Sequence, residues 1–139
     1  ACVTRRVSEI VGIENIICLG IRSCSKEEIE DAKAQELKYY TVSEIKKRGI
    51  LEIIKKSKLK DKIYLSIDMD VVDPAFAPGV GNPEPFGLTA QEVLDCIAQV
   101  TPNLVGCDIA EVCPPYDNGN TAALAAKLIR SLIAMVWKK

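Results

Sequence analysis

The chain has 139 residues, of which 48% are hydrophobic, and a formal net charge of −1. This length and balance are typical of one compact globular domain, so we predict a single domain over residues 1–139. A net charge so close to zero gives no electrostatic reason to expect nucleic acid or an anionic membrane surface as a partner.

The six cysteines do not have the spacing of a metal or redox motif. None forms a Cys-x-x-Cys pair, which argues against a zinc ribbon or a thioredoxin-type site. The N-terminal sequence ACVTRRVSEI has no apolar secretory segment, and the Ala-rich stretch 121–137 is too short and too charged to span a bilayer. We therefore expect a reduced, cytoplasmic setting.

Apolar runs alternate along the chain with segments of helical periodicity. The predicted helices are residues 3–11, 26–36, 43–57, 90–99 and 121–137, and the predicted strands are 15–21, 39–42, 62–68 and 103–109. Ser25, Thr41 and Thr89 each precede a glutamate by three residues, the pattern of a helix capping box. The strands are continuous apolar runs, as in buried parallel sheets. The alternation predicts a three-layer α/β/α fold with a mainly parallel sheet.

The most informative segment is SIDMDVVDPAFAPGVGNPEPFG, residues 66–87. An apolar strand ends there in two aspartates, Asp68 and Asp70, and a long loop rich in proline and glycine follows. Because side chains alternate along a strand, we expect both carboxylates to point to the same side. Paired carboxylates repel unless a cation lies between them, so the segment predicts a divalent metal site. Irregular loops of this length are usually functional.

A second acidic segment follows the last predicted strand. It reads DIAEVCPPYD, residues 108–117, and includes Glu111. In parallel α/β sheets, functional residues gather beyond the carboxyl ends of the strands, so this segment and residues 68–87 are both candidates for the site.

Both segments closely resemble the arginase/agmatinase (ureohydrolase) family. Residues 66–87 match the family's metal motif at every position: Ser or Thr, an apolar residue, Asp-x-Asp, three residues, Pro, three residues, Pro-Gly, and a Gly eight residues later. Residues 108–117 resemble the family's Asp-x-x-Glu-Val-x-Pro segment. The likeness is nearest to agmatinases of the archaeal type. Agmatinases tend to have threonine where Val80 and Asn82 stand and glycine where Phe86 stands, differences that concern substrate preference more than metal binding.

The resemblance implies a hydrolase in which two manganese ions share a hydroxide that attacks a guanidino carbon and releases urea. By motif position, Asp68 would bridge both metals and Asp70 would bind one of them. Glu111 would pair with the guanidinium group of a small, agmatine-like substrate. Asp73 is expected to fix the turn before Pro74. No residue of this chain is assigned as an acid–base catalyst.

The resemblance also identifies what this sequence does not contain. The family's other four metal ligands, two histidines and two aspartates, come from an N-terminal half, and this chain has no histidine. The chain corresponds to the C-terminal half, so we expect weak or absent manganese binding and no activity from it alone. A partial sheet leaves an unpaired edge and uncovered apolar helix faces. The expected partners are therefore further copies of the chain or a separate N-terminal half.

Three alternatives remain open from the residues themselves. A strand ending in Asp-x-Asp also occurs in haloacid-dehalogenase-type phosphatases, where Asp68 would be phosphorylated and Asp70 would protonate the leaving group. The Pro/Gly-rich loop fits that class poorly. An EF-hand is weaker still, because Val72 stands at a ligand position and Asp73 stands where the loop needs glycine. The non-enzymatic alternative is a truncated α/β module without catalytic function.

Overall fold

The computed structural model describes residues 3–59 and 62–137. The chain divides into two compact units, Ala1–Lys47 and Arg48–Lys139. The first unit contains helix α1 (Val3–Val11), strand β1 (Ile17–Ile21), helix α2 (Lys26–Ala34), strand β2 (Lys38–Thr41) and most of helix α3 (Val42–Arg48). Strand β1 pairs in parallel with β2, from Ile17 opposite Lys38 to Ile21 opposite Thr41.

The second unit repeats the strand–helix alternation. It contains helix α4 (Ile50–Lys56), strand β3 (Ile63–Asp68), helix α5 (Ala90–Val100), strand β4 (Leu104–Ala110) and helix α6 (Asn120–Trp137). Strand β3 pairs in parallel with β4, with Asp68 opposite Ala110 at their carboxyl ends. Helix α5 packs against α4 and α6. The buried side chains on these helices include Ile53, Ile97 and Leu128, each contributing about 1.5–3 kcal/mol through burial.

The predicted α/β class, the parallel strand pairing and all four strand positions are confirmed. The predicted capping boxes are present as well. The backbone N–H of Thr41 donates to Glu44 Oε2 at 2.8 Å, and the Glu44 N–H donates to Thr41 Oγ1 at 3.2 Å. The same reciprocal pair of hydrogen bonds begins α2 at Ser25 and α5 at Thr89. Local chemistry therefore fixes where these helices begin.

The prediction of one helix over residues 43–57 is wrong, because two helices occupy that segment. Gly49 separates α3 from α4 with a φ of 83° and a ψ of 133°, which no α-helix can accommodate. Glycine adopts this left-handed φ without steric cost. The apolar and lysine periodicity on both sides of Gly49 concealed the break in the sequence.

The prediction that the strands are buried on both faces is wrong for β3. Tyr64, Ser66 and Asp68 are exposed, whereas Ile67 between them is buried. The segment IYLSID alternates apolar and polar residues, so one face is covered and the other is polar. Within the part of the chain that the structure describes, the four strands form two two-stranded sheets rather than one continuous sheet.

The described cysteines are free thiols: Cys18, Cys24, Cys96, Cys107 and Cys113. Burial raises the pKa of Cys96 to about 11, so this thiol stays protonated and packs as a small apolar side chain. Cys2 lies outside the described residues. Among the described helices, none has the length and apolar character needed to cross a membrane.

Candidate active site

Asp68 marks the end of strand β3. The chain turns there into a short 3-10 helix, Met69–Val71, and Asp68 Oδ1 accepts a hydrogen bond of 2.9 Å from the backbone N–H of Asp70. Our expectation that Asp68 and Asp70 share one face of an extended segment is therefore wrong, since Asp70 lies in the turn. Met69, between them, is fully buried and anchors the turn in the core.

Asp70 is held by a residue twelve positions further along the loop. Its Oδ1 accepts from the backbone N–H of Asn82 at 3.2 Å, and its Oδ2 accepts from the Asn82 side-chain amide at 3.0 Å. In the sequence, Asn82 is distinguished only by its departure from the agmatinase pattern. The position of Asn82 inside the motif loop was the only hint in the sequence that it belongs to the site. The folding of the loop brings it to Asp70.

Asp73 fixes the turn at Pro74, as the sequence predicted, and it also closes the base of the loop. Its two carboxylate oxygens accept hydrogen bonds from the backbone N–H groups of Ala75 at 2.9 Å and Gly87 at 3.0 Å. The Asp73 N–H donates to the carbonyl of Leu88 at 2.8 Å, so the end of the loop returns to its start. A β-carbon at Gly87 would lie 2.5 Å from the Asp73 nitrogen, which explains the glycine.

Glu111 follows strand β4 and meets the same loop. Its φ is 59°, a left-handed conformation that costs a residue other than glycine about 1 kcal/mol or more. A β-carbon added to Gly81 would lie 3.1 Å from Glu111 Oε2, so the carboxylate lies directly over this glycine. The Glu111 carboxylate therefore lies over Gly81, and the Asp70 carboxylate is bonded to Asn82, the next residue of the loop.

A partly buried hydrogen-bond network fixes the middle of the loop to the start of α6. The Gly79 N–H donates to Thr121 Oγ1 at 2.8 Å, and the Gly79 carbonyl accepts from the Cys113 N–H at 2.8 Å. Asp117 accepts from the N–H groups of Gly119 and Thr121, both at 2.8 Å. Thr121 was not among the predicted site residues. The available signal was the Asp-Asn-Gly turn that precedes the helix.

One further polar contact links the two strands on their exposed face. Ser66 Oγ donates to Asp108 Oδ1 at 2.8 Å, between residues that lie opposite each other in the sheet. A hydrogen bond to the same Asp108 raises the pKa of Tyr64 above its ordinary value. The row of polar side chains therefore runs along β3 as far as Asp68.

A family model for the arginase family matches residues 1–135. The chain belongs to the arginase family. It is 39% identical to an agmatinase of Bacillus anthracis, over 97% of this chain and 47% of that protein. It is also 38% identical to the mitochondrial arginase 1 of Arabidopsis thaliana, over 96% of this chain and 40% of that protein. The chain thus spans about half the length of the curated relatives it matches.

Solved structures of the arginase family share this fold. The crystal structure of the agmatine ureohydrolase of Thermoplasma volcanium matches with a TM-score of 0.93 and 44% sequence identity, over 99% of this chain and 47% of that chain. An arginase from Bacillus subtilis matches with a TM-score of 0.81 and 30% identity. The predicted resemblance to the arginase family is confirmed. The match assigns the Asp-x-Asp segment to this family rather than to the phosphatases considered above.

The arginase family is generally dependent on two manganese ions, and the described residues of this chain fit part of such a centre. Carboxylate oxygens are the ligands that hard divalent cations prefer, and Asp68 is exposed at the strand end. Each carboxylate oxygen has two lone pairs, so Asp70 keeps acceptor capacity beyond its bonds to Asn82. Within residues 3–59 and 62–137, no group of three or more His, Cys, Asp or Glu side chains converges. Asp68 and Asp70 are therefore the candidate ligands among the described residues.

Replacing Thr121 with valine is expected to lower the free energy of unfolding by about 1–3 kcal/mol, since the buried Gly79 N–H loses its acceptor. The measurement is urea denaturation followed by circular dichroism. Thr121→Ser is the matched control, because it keeps the hydroxyl and loses only a buried methyl group, worth about 0.8 kcal/mol. A valine variant at least as stable as the serine variant would contradict the role of this hydrogen bond.

Hydrogen bonds from the Thr121 side chain and backbone hold the pKa of Asp117 below its ordinary value of 3.8. The stabilising contribution of the carboxylate is therefore present above that value and is lost as the pH falls through the lower pKa of the folded state. We expect the stability difference between the wild type and Asp117→Asn to be constant from about pH 7 to about pH 5 and to shrink near about pH 3. Urea midpoints at the three pH values measure it. A difference that grows on acidification would contradict the assignment.

Proposed function

We propose that this chain forms part of a manganese-dependent ureohydrolase that cleaves an agmatine-like guanidino compound into urea and an amine. The observation that carries the proposal is that adjacent residues of the motif loop face two carboxylates: the Glu111 carboxylate lies over Gly81, and the Asp70 carboxylate accepts a hydrogen bond from Asn82. This arrangement brings a group suited to a guanidinium next to a group suited to a metal ion. Membership of the arginase family supports the same chemistry.

Each acidic residue has a proposed role in that reaction. Asp68 and Asp70 supply carboxylates to the metal centre, and Glu111 pairs with the guanidinium group of the substrate. The conformation of the backbone at Glu111 supports this role, since strained residues concentrate at functional sites. Asp73 is not proposed as a ligand, because both of its oxygens accept hydrogen bonds from the loop backbone.

The proposed reaction requires groups that the described part of this chain does not supply. Two carboxylates bind a divalent cation weakly, because affinity increases with the number of ligands. We propose that the remaining ligands come from the N-terminal half that the relatives possess, either in the same polypeptide or in a separate subunit. The free thiols of the described cysteines suit a reducing, cytosolic compartment.

Urea release tests the proposal most simply. The complete protein, meaning this chain together with whatever supplies the other half, is stripped of metal with a chelator and assayed with agmatine and with arginine. We expect urea from agmatine after manganese is restored, and less urea from arginine. A protein that releases no urea from either compound at saturating manganese would contradict the proposal.

The isolated chain is expected to self-associate. The apolar residues of α1 lie on one helix face and are exposed, with Ile10 84% accessible. In the second unit, the end of α6 exposes Ile133, Val136 and Trp137, also on one face. Such faces and open sheet edges favour association. Sedimentation velocity at micromolar concentration should show dimers or larger species, whereas a homogeneous monomer would contradict the expectation.

A further inference from the structure

We propose that Asn82 is a positioning residue that fixes the orientation of the Asp70 carboxylate; this inference rests on the proposed function. Two donors from one residue reach the two oxygens of one carboxylate: the Asn82 backbone N–H reaches Oδ1, and its side-chain amide reaches Oδ2. This two-point contact defines both the position and the plane of the carboxylate. A single hydrogen bond would leave the plane free to rotate.

Asp70 has no other means of keeping this orientation within the described residues. Rotation about the bond to an aspartate carboxylate is soft and has broad preferences. All hydrogen bonds that the described residues make to this carboxylate come from Asn82. Its own turn is fixed through the backbone, by the bond from the Asp70 N–H to Asp68, and that bond does not orient the Asp70 side chain. The orientation of Asp70 therefore depends on Asn82.

Asn82 itself is held firmly enough to serve as a fixed donor. Val80, two residues earlier, is fully buried and anchors the loop. The carbonyl of Asn82 accepts a 2.8 Å hydrogen bond from the Glu84 N–H, which closes a tight turn around Pro83. Proline restricts its own backbone φ to a narrow range, so the turn is stiff. The exposed Asn82 side chain thus projects from a supported backbone.

The chemistry of this contact suits a metal ligand. An amide N–H₂ group only donates hydrogen bonds, so it holds the Asp70 carboxylate in place without adding a competing negative charge. Carboxylates that bind metals are typically held by such outer donors, and removing the donor typically weakens metal binding about 10- to 100-fold. The remaining lone pairs of Asp70 stay available to a cation.

The test measures the manganese dissociation constant of the complete protein by the electron paramagnetic resonance signal of free Mn²⁺. Asn82→Leu removes the side-chain donor at similar volume and is expected to weaken binding by about 10- to 100-fold. Asn82→Thr restores a donor hydroxyl and should recover part of that loss. Gln91→Leu is the matched control, because Gln91 donates a 2.8 Å amide–carboxylate hydrogen bond to Asp95 on α5. It should leave the dissociation constant unchanged.

The Asp70→Asn variant separates the two proposals. If Asp70→Asn weakens manganese binding and Asn82→Leu does not, the positioning role is overturned and the metal role of Asp70 stands. If Asp70→Asn binds manganese as the wild type does, the ligand assignment in the proposed function fails. The thermal midpoint of each metal-free variant is recorded as well. A large fall in that midpoint for Asn82→Leu, without rescue of binding by threonine, would reduce Asn82 to a structural residue and overturn the inference.

Discussion

Replacing Asp68 with asparagine is expected to reduce manganese-dependent urea release by the complete protein about 10³-fold or more. Metal ions stabilise such transition states by several kcal/mol, and each loss of about 1.4 kcal/mol lowers the rate tenfold. Asparagine keeps an oxygen that can accept the hydrogen bond from the Asp70 N–H, so the turn after β3 should survive. The variant therefore removes the negative charge of residue 68 and leaves the local structure intact. Initial rates at saturating manganese measure the loss.

Asp73→Asn is the contrasting variant for this experiment. Asp73 lies in the same loop, and its two oxygens accept from Ala75 and Gly87. Asparagine cannot accept both bonds through its amide group, so we expect a lower thermal midpoint but retained activity per folded molecule. Activity retained by Asp68→Asn, or lost equally in both variants, would contradict the metal role of Asp68.

Glu111→Gln is expected to lower kcat/KM for the guanidino substrate by about 10- to 100-fold, since a hydrogen bond to a charged group contributes about 1.5–3 kcal/mol. Glutamine has nearly the same shape, so the contact with Gly81 should persist while the charge is lost. Steady-state kinetics with agmatine measure the ratio.

The manganese dissociation constant supplies the control for Glu111. We expect it to be unchanged in Glu111→Gln, because this residue is assigned to the substrate and not to the metal. A kcat/KM equal to that of the wild type would remove Glu111 from the site. A lower manganese affinity in this variant would instead indicate that Glu111 is a metal ligand.

The helix starts and strands could be predicted because their signals are local. The capping residue and its glutamate partner at Ser25 or Thr89 are three residues apart, and each strand is a short continuous stretch of sequence. The break at Gly49 was missed because a single glycine between two similar helical patterns does not reveal its backbone angle. The exposure of one face of β3 was not predicted, because the strand was interpreted as a buried parallel strand. The polar side chains of Tyr64 and Ser66, at alternate positions, indicated an exposed face.

The candidate acidic residues could be predicted because the motif spacing is specific. The residues that hold the site in place by hydrogen bonds could not be predicted. Asn82 reaches Asp70 across twelve residues, and Thr121 reaches Gly79 across forty-two. Such contacts depend on how the loop folds back, which no local pattern encodes. The expectation that Asp70 continues the strand failed for the same reason, since the turn is set by the burial of Met69 and by the side chain of Asp68.

The most direct test of the central claim is a crystal structure of the complete protein with manganese, using anomalous scattering at the manganese edge. We predict anomalous peaks within about 2.0–2.6 Å of carboxylate oxygens of both Asp68 and Asp70, the range for hard cations and oxygen ligands. Manganese bound elsewhere, with neither aspartate among its ligands, would contradict the claim that this chain supplies two carboxylates to a ureohydrolase metal centre.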